Sequence, residues 1–431
     1  MSGIEQKSSK LRPMMMFIIL AIAYFFVYFH RTTGGAVSDT LQDFYGVGTA
    51  SVALLASAYL YAYTLMQIPS GILTDKMGPR QAASAFIIIL AIGSLMCAFA
   101  EPMGNFNMMI AGKFIIGIGA AVIYIPIMKV LAVWFRKNEF ASMSGILLLV
   151  GNVGGIAAAT PMVMMMDSLG IEMTYIVLSI ITLVIGGLTW FFVRNHPNEL
   201  GLPGIEEIVS EETGEPIKES TSSKMGTVEA LKLTFTSGRK FWPLALWFFF
   251  MYGTIMLWQA SQAGGFYKNI GGFEAGTYSM FITMVGIGMV IGCPLAGRLS
   301  DRVIKSRKKV IIIGTIAYTV IWGLIWGLSG TDVVSNAGAQ YVINFLFGFF
   351  GGFFVVSYAQ IKELFPVAMA GTSTAALNLF PFAGGAILIT IAGFVVSDQT
   401  LAQYQTLWLM AFIMMIFASV CAILTVEKGK D

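Results

Sequence analysis

The sequence predicts an all-α polytopic membrane protein with twelve transmembrane helices in two six-helix bundles. Three observations point there: apolar residues dominate, they come in runs long enough to cross hydrocarbon, and one loop pattern recurs at matching places in the two halves. Hydrophobic residues make up 57% of the 431 and charged residues only 11%, with a mean hydropathy of +0.78. A water-soluble domain does not carry that balance. About 20 mostly apolar residues cross the hydrocarbon. Backbone groups there must pair within their own segment, so such runs are helices.

Spans are expected near residues 13–36, 51–73, 81–100, 106–135, 140–165 and 174–193, and again near 241–267, 276–296, 309–328, 339–364, 371–396 and 403–426. The first run lacks a small-residue cleavage site and is followed by further spans, so it reads as a retained helix. Between the two sets lies one long polar stretch, Arg194 to Lys240, rich in glutamate and then basic. It divides the chain into residues 1–193, a linker of 194–240, and residues 241–431. Cys97, Cys293 and Cys421 sit in three different apolar runs without metal-site spacing, and read as packing residues.

Lys and Arg accumulate in loops on the cytoplasmic side. With the N-terminus inside, Lys7, Lys10, Arg12, Lys76, Arg80, Arg136, Lys137, the linker, Arg298 to Lys309, Lys428 and Lys430 all fall on that side. The opposite loops keep only Lys268 and carry Asp39, Asp43, Glu101, Asp167, Glu172, Glu274, Asp332 and Asp398. Both termini are therefore expected inside a cytoplasmic (inner) cell membrane, and the net charge of +3 reflects loop asymmetry rather than a nucleic-acid partner.

The repeat is the strongest functional signal. Between spans two and three stands Gly71-Ile72-Leu73-Thr74-Asp75-Lys76-Met77-Gly78-Pro79-Arg80, and between spans eight and nine stands Gly297-Arg298-Leu299-Ser300-Asp301-Arg302, followed by Arg307-Lys308-Lys309. Glycine lets helices approach closely, aspartate can cap a helix N-terminus, and the basic residues hold the loop at an anionic membrane surface. Breaking such contacts as two halves rock would make a gate, so Asp75, Arg80 and Asp301 are gating candidates.

These loops resemble the signature of the major facilitator superfamily, nearly complete in the first half and degraded in the second, and the resemblance covers the whole chain. It implies two bundles about a central cavity that opens to alternate sides. A finer likeness is to the anion:cation symporter and organophosphate:phosphate antiporter branches. It rests on Arg31 after the aromatic run Tyr28-Phe29-His30, Lys113 before Gly117, Lys129 before Trp134-Phe135, and Asn152-Val153-Gly154-Gly155. Those branches carry organic anions. The chain departs from them at His30 and Ala120, where the symporters commonly place acids, and in span seven, which has Trp258, Gln259 and Gln262 where the organophosphate branch has a second arginine.

Charges inside the membrane are costly, roughly 2.5–3.5 kcal/mol each at the centre of a helix. Arg31 in span one and Lys113 in span four therefore head the binding candidates, expected at similar depth and facing each other. Snorkelling to the headgroups is the competing reading for both. His30 reads either as a proton-coupling site or as an uncharged packing residue. Lys129 reads as a snorkelling or gate residue, and Lys362-Glu363 as an ion pair or gate element at the end of span ten. Polar cavity candidates are Tyr59, Tyr63 and Gln67, which share one face of span two, with Tyr124, Gln259, Gln262, Tyr358 and Asn378.

The expected function is secondary active transport of a small organic anion, by proton or cation symport or by anion exchange, with the lipid bilayer and the solute as partners, a single chain as working unit, no cofactor, no metal and no enzymatic step. A nucleotide-driven pump would need a phosphate-binding loop, and no GxxxxGK[ST] motif occurs. A channel would want a polar pore ring repeated by symmetry. The alternatives within the same fold are a neutral-solute or peptide symporter and a drug exporter; exporters of cations tend to bury an acid, whereas this chain buries cations.

Overall fold

The computed structural model describes residues 3–158, 160–204, 207, 227–366 and 369–427, so the acidic centre of the linker and the last lysines lie outside the described residues. Among the described residues, ten helices are long and apolar enough to cross a membrane, and a bent pair makes an eleventh. A kink yields a twelfth. Helix Thr160–Phe192 contains Gly170 at φ 80° and ψ 173°, a backbone geometry closed to other residues, and this kink separates the end of span five from span six. The first piece of span five is Lys137–Ala157.

Span one is Gly3–Ala36, span three Pro79–Ala100 and span four Phe106–Trp134. Spans eight, nine, eleven and twelve are Ala275–Arg298, Arg307–Leu328, Ala370–Val395 and Leu401–Leu424. Local chemistry sets several of their starts. The side chains of Asn105, Ser306 and Thr400 each accept a hydrogen bond from the backbone N–H three residues on, and Gln403 completes a capping box with Thr400.

Three further spans are broken. Span two runs Thr49–Leu65 and then Gln67–Met77, with a bend of 52° between them. Pro69 explains it, because it has no N–H to give the Leu65 carbonyl and its ring crowds that oxygen. Span seven, Trp242–Leu257 and Ala263–Asn269, is joined by a π-turn over Trp258–Gln262. Span ten, Ala337–Gly351 and Val356–Leu364, is joined by a 3₁₀ turn over Gly352–Val355, which begins within a Gly351-Gly352 pair.

The helices pack as two compact units. One comprises Met1–His30, Leu65–Gly155 and Leu169–Ser222; the other comprises Arg31–Thr64, Ile156–Ser168 and Ser223–Asp431. In the first, spans three and four meet through glycine: a Cβ on Gly93 would lie 2.6 Å from Ile116 N, and one on Gly119 would lie 2.6 Å from Phe86 O. Gly154 of span five presses on the carbonyl of Phe25 in span one. The second unit repeats this last contact at the equivalent place, with Gly384 of span eleven against the carbonyl of Phe249 in span seven.

Within the second unit, span eleven also lies antiparallel along the Thr49–Leu65 helix. Phe382 packs on Tyr63 with ring centroids 4.3 Å apart, and a Cβ on Gly385 would lie 3.0 Å from Leu60. Thr390 donates to Ser57 Oγ at 3.0 Å and shares a hydrogen bond with Tyr61 OH at 3.0 Å. Gly393 abuts Ala53, and Thr49 donates to the carbonyl of Val396 at 2.8 Å. As one helix climbs from 382 to 396 the other descends from 63 to 49, always on one face of each.

Candidate functional site

Arg31 lies in the second unit and is only 5% exposed. Its guanidinium carbon is 4.9 Å from the ring centre of Tyr63 and 4.9 Å from that of Phe382. Such contacts hold a cation by the negative face of the ring, about 0.5–2 kcal/mol each according to burial. Tyr59 stacks on Tyr63 at 5.8 Å, so two of the span-two candidates join Arg31.

From Phe382 the aromatic surface continues through Tyr252 at 5.9 Å and Phe354 at 5.0 Å to Tyr358 at 6.3 Å. There the Tyr358 hydroxyl donates to Asn378 Oδ1 at 2.6 Å. Arg31, Tyr59, Tyr63, Tyr358 and Asn378, drawn from four spans, thus belong to one connected surface. Gln259 and Gln262 sit on the π-turn of span seven, where Gln262 is buried and donates to Ser261 Oγ at 2.8 Å. Beside them runs a network the sequence did not reveal. Trp258 Nε1 donates to Asn344 Oδ1 at 2.9 Å, Asn344 Nδ2 donates to Tyr267 OH at 2.6 Å, and Tyr267 OH donates to Gln340 Oε1 at 3.0 Å.

The remaining candidates lie in the first unit. Lys113 is 2% exposed, with its ammonium 5.6 Å from the ring centre of Tyr175 in span six. His30 is buried as well. Tyr124 packs on Tyr24 of span one at 5.5 Å. Gln67 is buried, but the bend at Met66 puts it on a separate helix from Tyr59 and Tyr63, so the face expected to carry all three is interrupted.

The signature loop of the first half does not act as expected of a cap. Asp75 lies in the last turns of Gln67–Met77, and the N-cap of span three is Gly78, whose φ of +80° suits glycine. Asp75 instead forms an ion pair with Lys129 of span four. Arg80 is tied to the end of span six: its Nε donates to Trp190 O at 2.7 Å, its guanidinium lies 4.7 Å from the Trp190 ring, and its backbone N–H donates to Asn195 Oδ1 at 2.9 Å.

In the second half, Arg307 is the hub. It pairs with Asp301, donates to Ser300 Oγ at 2.6 Å and to Glu363 Oε1 at 3.0 Å, and its backbone N–H donates to Glu427 Oε1 at 2.7 Å. Glu363 therefore pairs with Arg307 rather than with its neighbour Lys362, which is exposed. The reading of Lys362-Glu363 as a pair is corrected: the two residues are adjacent in sequence, but Glu363 finds its cation at the start of span nine.

The model of the "Major Facilitator Superfamily" matches residues 20–387 and 267–430. A "Probable hexose phosphate transport protein" of Chlamydia trachomatis is 24% identical over 408 residues, covering 88% of this chain and 84% of the relative. A "D-galactonate transporter" of Escherichia coli O6:H1 is 26% identical, covering 88% of this chain and 86% of the relative. Among solved structures, an inward-facing, unoccupied bacterial homolog of the human lysosomal transporter Spinster superposes with a TM-score of 0.72 at 15% identity, covering 96% of each chain.

Proposed function

This chain belongs to the Major Facilitator Superfamily, and from that membership we propose that it carries a small organic anion across a cytoplasmic membrane, with Arg31 as the group that grips the anion. It is a multi-span transporter and not an enzyme. The observation that carries the substrate class is the burial of a guanidinium in an apolar span against two aromatic rings. A charge there is retained at a cost of several kcal/mol, and a carboxylate, sulfonate or phosphate taken by its fork of N–H donors would repay it.

Relatives whose names specify a hexose phosphate and D-galactonate favour the same class. Tyr59, Tyr63, Tyr358 and Asn378 would shape the site around the anion, with Gln259 and Gln262 as further polar lining, and Gln67, Tyr124 and Lys113 stand as the binding candidates of the first unit. His30 is the candidate for proton coupling, in symport or in exchange. The two halves, 1–193 and 241–431, would rock about the linker, with Asp75, Arg80, Asp301, Lys129, Lys362 and Glu363 as the gating residues. Both termini would face the cytoplasm. We test the class by thermal shift of the purified chain against mono- and dicarboxylates, sulfonates, phosphate esters, dipeptides and sugars. Stabilisation confined to anions supports it, and stabilisation by neutral sugars or dipeptides alone contradicts it.

A further inference from the structure

The start of span three and the end of span six meet in the first unit, and each brings an arginine anchored on backbone carbonyls. The Arg80 guanidinium is held from two sides: Nε donates to Trp190 O at 2.7 Å, and the guanidinium carbon lies 4.7 Å from the centre of the Trp190 ring. Asn195 fixes the backbone of the same residue by accepting from its N–H at 2.9 Å. These contacts leave the two Nη groups of Arg80 unused, and no acceptor takes them among the described residues. Arg194 donates through Nη1 to Phe191 O at 2.8 Å and to Val193 O at 2.9 Å, while Trp134 Nε1 donates to its carbonyl at 3.0 Å. Lys76, four residues before Arg80, is exposed, and the acid beside it, Asp75, is paired with Lys129. The result is a positive surface whose principal donors are already oriented, so little side-chain freedom is lost when an anion binds. Next to these cations the surface turns apolar: Trp190 is 44% exposed, Phe191 69% and Phe192 45%. Aromatic rings at the end of a span lie at headgroup level, with the hydrocarbon beside them.

We propose that Arg80, Arg194 and Trp190 form a binding site for an anionic phospholipid: the headgroup phosphate takes the Nη groups of Arg80, and the acyl chains lie along Trp190, Phe191 and Phe192. Arginine presents its donors as a fork that matches two phosphate oxygens, and a basic site at the end of a membrane helix attracts anionic headgroups. The exposed rings choose between sources of phosphate. A soluble phosphate ester would use the donors alone, whereas a ligand that brings hydrocarbon uses the donors and the rings together. Charge chooses between headgroups, because a zwitterionic lipid would set its ammonium beside Arg80, Arg194 and Lys76. The site is independent of the reading of Arg31, and either can fail without the other.

Trp190 is part of the site and also its reporter, since bromine on an acyl chain quenches an indole that it touches. The full chain is reconstituted in phosphatidylcholine bilayers containing a minor fraction of phosphatidylglycerol, and the two lipids are brominated in turn at equal mole fraction. The Trp190 signal is the difference between the parent and the Trp190→Phe chain. Brominated phosphatidylglycerol should quench it roughly three- to tenfold more than brominated phosphatidylcholine. Arg80→Gln should bring the two lipids to about the same quenching, Arg194→Gln should cut the excess by roughly half, and Arg80→Lys, which keeps the charge without the fork, should keep only part of it. Arg194→Gln carries the comparison if Arg80→Gln does not insert. The excess should survive millimolar glycerol 3-phosphate. Equal quenching by the two lipids in the parent overturns the proposal, as does an excess left unchanged by the arginine substitutions. An excess removed by glycerol 3-phosphate overturns it too, and makes this a site for soluble phosphate esters.

Discussion

Arg31 could be singled out from the sequence because an arginine within an apolar run is expensive, and expense implies use. Its aromatic partners could not, since they lie about 30 and 350 residues further along the chain and look like any other membrane aromatic. The same limit separates Glu363 from Arg307, 56 residues apart. Adjacent charges such as Lys362 and Glu363 invite pairing on paper, but helix geometry turns neighbours about 100° apart. Asp75 and Lys129, by contrast, were both singled out as gating candidates, though not as partners of each other. Their pair is surface-exposed on both sides, so it adds at most about 1 kcal/mol to stability. We propose that its work belongs to the transport cycle. Asp75→Asn and Lys129→Gln should each slow transport while leaving equilibrium affinity within a few-fold, and the exchange Asp75→Lys with Lys129→Asp should recover part of the rate. A folded Asp75→Asn chain that loses its affinity outright would place Asp75 in binding instead.

At the scale of elements, run lengths located most of the spans to within a few residues, because hydropathy over a whole helix averages out local exceptions. The exceptions themselves were harder to see. The bend at Met66 follows from Pro69, the kink at Gly170 from a backbone angle only glycine tolerates, and the π-turn of Trp258–Gln262 has no signature in composition. The seam between span two and span eleven depends on small residues at its tight end. A methyl group on Gly393 would collide with Ala53, and overpacking of this kind costs about 1–3 kcal/mol. Gly393→Ala should therefore pry the seam open and raise the maleimide reactivity of a cysteine placed at Ser57 by roughly fivefold to a hundredfold. Unchanged reactivity in a folded chain would mean that the two spans yield without separating.

For the whole molecule, the internal repeat was readable twice, as a loop pattern in the sequence and as the matching contacts of Gly154 on Phe25 and Gly384 on Phe249. Direction across the membrane rests on the asymmetry of loop cations alone. A cysteine in place of Glu199, in a chain with Cys97, Cys293 and Cys421 replaced, should resist an impermeant thiol reagent in intact cells and react after lysis; labelling from outside would invert the topology. The central claim, that an anion is carried on Arg31, is tested most directly by uptake into proteoliposomes. D-galactonate and glucose 6-phosphate are the first solutes to try, with parent, Arg31→Lys and Arg31→Ala chains reconstituted at equal density. Removing one side of a buried charged contact costs about 2–5 kcal/mol, roughly thirtyfold or more in affinity. The account predicts that Arg31→Ala abolishes measurable uptake and that Arg31→Lys, which keeps the charge but loses the fork, retains only a small fraction. Uptake by Arg31→Ala at near the parent rate, in a chain that folds and inserts, would contradict it.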